Sequence, residues 1–140
     1  YFNMQKGIIL LGLSLLLTAC DLGFPRMTVN YDNLPQGEIK EYITKRFPNE
    51  PEKEVLSKLI YAHLDGDNRA DSIKKAVSQM GMTCEAGKEI CEYSGYIRTK
   101  LTGHSSGSGQ AKRIYHIVIS PKKGMDSLAI EHQIVEDTEN

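Results

Sequence analysis

The chain has 140 residues, with 17 Lys and Arg against 18 Asp and Glu, 40% hydrophobic and 25% charged residues, three Cys and no Trp. Those proportions exclude collagen-like, coiled-coil and wholly disordered chains, and the length holds one modest domain. A net charge of -1 supplies no general attraction to nucleic acid, and the single long apolar run excludes a multi-span membrane protein.

Met4-Gln5-Lys6 opens a basic segment, and residues 1–3 before it are expected to be an upstream remnant. The uncharged run Gly7–Leu17 is shorter than the roughly 20 residues a membrane span needs, and it fits the apolar region of a signal peptide. Leu17-Thr18-Ala19-Cys20 then resembles the lipobox of bacterial lipoproteins. The resemblance implies a signal peptide over 1–19 and a diacylglyceryl thioether on Cys20, which becomes the first residue of the mature chain. Two or three acyl chains anchor a protein stably, at about 0.8 kcal/mol per buried CH₂. Asp21 resembles the signal that retains enteric lipoproteins in the inner membrane, with the outer membrane as the alternative. The expected location is the periplasmic face of a bacterial membrane.

Export leaves two thiols, Cys84 and Cys91, and an oxidising compartment favours a disulfide between them over a metal site or a nucleophile. Residues 20–50, with Pro25, Pro35 and Pro48, read as the lipidated Cys and a tether. Within them Ile39, Tyr42 and Ile43 allow a short helix over 36–46. A folded domain is expected over 51–140.

Val55, Leu56, Leu59, Ile60, His63 and Leu64 form one stripe, which predicts a helix over 52–64. Asp65-Gly66-Asp67-Asn68 breaks it. Ile73, Ala76, Val77 and Met80 predict a second helix over 69–80, capped by Asn68 with Asp71 and stopped at Gly81. Beyond Cys84 the period becomes two. Cys91, Tyr93, Ile97, Thr99 and Leu101 alternate with polar residues, and Tyr96 falls on the wetter side. Gly103–Gln110 is a Gly- and Ser-rich loop. Residues 112–120 load both faces and predict a central strand, and Leu128, Ile130 and Ile134 mark a third strand over 127–135. The predicted fold is α+β, with two helices packed on a three-stranded antiparallel sheet.

That element order resembles the helix-helix-three-strand domain of small SmpA/BamE-type envelope lipoproteins and the similar unit of the β-lactamase-inhibitor-protein family. The local match is Gly66-x-Asn68-x-x-x-Ser72-Ile73 before a helix ending at Gly81-Met82-Thr83. The aromatic-rich strand motifs of the assembly-factor family are missing, so its partner-binding residues are not carried over.

No nucleophile-base pair, carboxylate dyad or cofactor motif is visible, so no catalytic residue, enzyme activity or cofactor is expected. Asp65, Asp67 and Asp71 fall in the third, fifth and ninth places of a calcium loop. His63 stands in the first place and Asn68 replaces the glycine, so the alternative is a turn whose acids favour the next helix. The four His residues lack metal-ligand spacing, though His116 and His132 are possible cross-strand neighbours. Arg98, Lys100, Lys112, Arg113, Lys122 and Lys123 make a basic sheet end. The expected contact residues for a partner are Tyr96, Arg98, Lys100 and His104. The reading is a non-catalytic binding module, held by lipid and contacting another envelope protein. The alternatives are an inhibitor or exclusion factor against a hydrolase or envelope receptor, and a calcium-dependent sensing module.

Overall fold

The computed structural model describes residues 26–102 and 109–137. The expected signal peptide over 1–19, the lipid site at Cys20, Asp21 and the contact residue His104 lie outside them.

Five strands form one sheet: β1 (Arg26–Asn30), β2 (Thr83–Cys84), β3 (Cys91–Thr102), β4 (Gly109–Ile119) and β5 (Ala129–Asp137). Their order is β1-β3-β4-β5, and β2 shares the β1 side of β3. All these pairings are antiparallel. Three helices, α1 (Glu38–Arg46), α2 (Lys53–Leu64) and α3 (Ala70–Gln79), precede the long strands. The protein is therefore α+β as expected, but among the described residues it has three α-helices and five strands in place of two and three.

Among the described residues the helices cover one face of the sheet and leave the other open, and strand alternation sorts apolar and polar side chains between the two. Tyr93 and Ile97 from β3 and Tyr115, Ile117 and Ile119 from β4 are all buried. They meet Ile39 and Ile43 of α1, Leu56, Ile60 and Leu64 of α2, and Ile73 and Val77 of α3 in one core. Each such side chain contributes about 1.5–3 kcal/mol on burial. As predicted, β4 is an interior strand, lying between β3 and β5.

The tether expected over 20–50 is corrected by residues 26–46. β1 pairs with the far half of β3, from Arg26 opposite Thr102 to Asn30 opposite Arg98. Leu34, Ile39, Tyr42 and Ile43 are buried in the core. Two helices alone would leave part of this long sheet wet, and α1 supplies the missing apolar cover. The Tyr42 hydroxyl donates to the Glu52 carbonyl at 2.8 Å and accepts the Glu52 N–H at 2.7 Å, fixing α1 to the start of α2.

The start of α1 also touches the end of α3. The Ile39 N–H donates to the Met80 carbonyl at 3.1 Å. Gly37 and Gly81, at φ 141° and 115°, allow this approach, since a Cβ on Gly81 would lie 2.8 Å from the Gln36 oxygen. Gly81 ends α3 as expected. The other end differs: Arg69, not Asn68, holds the N-cap position, and its side chain makes no capping bond.

Candidate protein-binding face

Strand alternation places Tyr96, Arg98 and Lys100 together on the open face of β3, with Glu92 and Ser94. Register then sets Ile114 opposite Tyr96, Lys112 opposite Arg98 and Gln110 opposite Lys100. Two cations approach the Tyr96 ring. Lys112 Nζ lies 5.0 Å from its centroid and the Arg98 guanidinium carbon 5.7 Å. Such contacts are worth about 0.5–1 kcal/mol each at exposed sites. They hold a large amphipathic ring in place before any partner arrives, which lowers the entropy lost on binding.

Beside this cluster Ile114 and Val135 are each 38% exposed. Val135 pairs with Lys112 across β4 and β5. Toward the other end of the face stand carboxylates. Glu92 lies 3.9 Å from His116, and Glu131 is directly opposite His116 in the register. The face thus runs from cations at one end, through an aromatic-aliphatic centre, to acids at the other.

Lys112 joins Tyr96 through the β3–β4 register, which spacing within either strand does not give. Three other expectations about charge are corrected. Arg113 belongs to the helix-covered face, where it donates to the Pro48 carbonyl at 2.6 Å and lies 5.0 Å above the Phe47 ring. Lys122 and Lys123 follow the opposite end of β4, and Lys122 pairs with Glu89 at 3.9 Å. His116 and His132 are not neighbours on one face: His132 is opposite Tyr115, one residue along, and faces the helix side. There it meets Glu50 at 3.0 Å.

Of the three aspartates expected as calcium ligands, Asp67 is engaged by side chains of its own turn. Asp65 ends α2 in a left-handed conformation, and Asp71 lies in the first turn of α3. Asp67 accepts from Arg69 Nη2 at 2.8 Å, Arg69 Nε at 3.0 Å, the Arg69 backbone N–H at 3.1 Å and the Ser72 hydroxyl at 2.7 Å. The hydrogen bonds from Arg69, then that from Ser72, hold its carboxyl far below the ordinary range. Among the described residues no three His, Cys, Asp or Glu side chains are grouped to hold a metal ion.

Cys84 and Cys91 form a disulfide, with sulfurs 2.06 Å apart. They are a directly opposed pair that joins β2 to β3. Among the described residues no helix is long and apolar enough to cross a membrane. The chain matches no family model, no curated protein and no solved structure.

Proposed function

We propose that this chain is a lipid-anchored envelope protein whose open sheet face binds another protein without catalysing a reaction. The observation that carries this reading is the Tyr96 ring in contact with Arg98 and Lys112 beside the exposed Ile114. Rigid aromatic anchors with apolar neighbours and a charged rim are the usual composition of binding hot spots. The lipobox and the disulfide support placement outside the cytoplasm.

A photo-crosslinking side chain at Ile114, in the full chain expressed in its native host, tests the reading. One envelope protein is expected in the adduct. Tyr96→Ala is expected to weaken the complex about thirtyfold, as truncation of a hot-spot residue does. The reading fails if position 114 yields no adduct while the protein remains folded and exported. It also fails if the purified chain sustains turnover of a substrate that Tyr96→Ala abolishes. Inhibition of a captured hydrolase would assign the partner to the inhibitor alternative.

A further inference from the structure

The sheet projects past the helices at one end. There Met27 and Leu101, opposed in β1 and β3 on the helix-facing side, are 52% and 41% exposed. On the other side of the same end stand Arg26, Arg98, Lys100 and Lys112. Two acids, Glu136 and Asp137, sit at this end on the far edge strand β5. Among the described residues cations therefore outnumber acids here, and they concentrate on β1, β3 and β4. This is also where β1 begins, at Arg26. Only five residues separate Arg26 from Cys20, six steps along the chain. Even fully extended, that stretch spans about 20 Å.

We propose that this end of the sheet lies against the anionic surface of the bilayer, with the cations at the phosphates and Met27 and Leu101 at the headgroup boundary. The proposal rests on the lipid anchor at Cys20. An anchor there holds Arg26 within about 20 Å of the membrane. Electrostatic attraction acts over a Debye length, about 10 Å at 0.1 M salt, so little slack need be taken up before the cations feel the surface. Each Lys or Arg brought to an anionic leaflet strengthens contact about fivefold. A protein partner for this end is the rival, but the short distance to the acyl chains and the pairing of cations with exposed Met and Leu favour lipid. Arg98 and Lys112 then lie between the phosphates and the Tyr96 ring, and the Ile114 and Glu92 part of the open face is left to a neighbouring envelope protein.

The chain contains no tryptophan, so a single introduced one is a clean reporter. Leu101→Trp and, at the opposite end of β3, Ile90→Trp are placed in separate full-length lipidated proteins. Each is reconstituted in vesicles of phosphatidylcholine alone or with one part in about three of phosphatidylglycerol, a fraction chosen to exceed the surface potential described for cell membranes. The expected result is a blue shift and quenching by brominated lipid for the Leu101→Trp protein in the anionic vesicles only. Molar salt should reverse it, and the Ile90→Trp protein should respond in neither. Adding Arg26→Glu and Lys100→Glu should lower the docked-to-free ratio about twenty-five-fold, the product of two fivefold steps. With Cys20 shown to be acylated by mass spectrometry, identical emission from the Leu101→Trp protein in both vesicles overturns docking and leaves the anchor standing. A response that salt and the two substitutions leave unchanged also overturns it. An unmodified Cys20 overturns the anchor itself, and docking with it.

Discussion

The Tyr93 hydroxyl donates a 2.8 Å hydrogen bond to the carbonyl of Pro35, joining the middle of the sheet to the segment that leads into α1. Burial pushes the Tyr93 phenol well above its ordinary value. Tyr93→Phe keeps the ring in the core and leaves the Pro35 oxygen without this donor. A loss of about 1 kcal/mol is expected by urea unfolding at neutral pH. The sign of the pH dependence follows from the raised value. The stability tied to the neutral phenol is fully present below 10.0, the ordinary tyrosine value, and falls as pH rises further. Stability of Tyr93→Phe should therefore decline less steeply than wild type in the alkaline range. Parallel declines would show that the Tyr93 phenol ionises as readily folded as unfolded.

Gly95 makes the same crossing possible. A Cβ there would lie 2.8 Å from both the Asn33 oxygen and Pro35 Cδ. Asn33 also accepts the Tyr96 N–H at 3.3 Å, so backbone and sheet are already in contact. Gly95→Ala is expected to destabilise by about 1–3 kcal/mol through overpacking. Because Tyr96 is the next residue, the same change should weaken partner capture beyond what the stability loss explains. An unfolding midpoint equal to wild type would show that the segment lifts off freely.

The legible part of the fold was the part with a strong local period. The stripe from Val55 to Leu64 and the alternation from Cys91 to Leu101 predict α2 and β3 almost to the residue, against Lys53–Leu64 and Cys91–Thr102 in the structure. β1 was not legible because Arg26–Asn30 is mostly exposed, with only Val29 half-buried, and gains strand geometry from a partner 72 residues away. Ile39, Tyr42 and Ile43 were visible as a stripe, but three prolines around it read as a tether. The candidate site divides in the same way. Alternation alone grouped Tyr96, Arg98 and Lys100, whereas the Lys112 contact needs a register fixed between strands. The acid spacing marks Asp67 in the sequence, but its bonds to the side chains of Arg69 and Ser72 depend on the turn the chain makes there.

Reduction of Cys84–Cys91 should act locally and globally. β2 has two residues, and the disulfide joins its last residue to the first of β3. Loss of the cross-link frees a short loop in the unfolded chain, a cost of about 2–3 kcal/mol to the folded state. Hydrogen exchange should quicken first at Thr83 and Cys84, while Ile117 in β4 stays protected until global unfolding. Equal exchange in reduced and oxidised protein would mean that β2 is held by its backbone pairing alone.

Asp67 gives the fold an acid-side dependence. Its carboxyl is held low by hydrogen bonds from Arg69, then from Ser72, in the turn that starts α3. A depressed folded-state value contributes stability above the ordinary Asp value of 3.8, and that contribution is lost as pH falls through the folded-state value. Asp67→Asn retains a side-chain oxygen for the Arg69 backbone N–H and removes the charge that pairs with the guanidinium. Its thermal midpoint should lie below wild type at pH 7, by less at high salt because the pair is exposed. The gap should close steadily in acid, below the range where free carboxylates titrate. A gap that persists unchanged at low pH would assign the effect to the altered turn geometry, and Asp67 would then act as a hydrogen-bond acceptor without help from its charge.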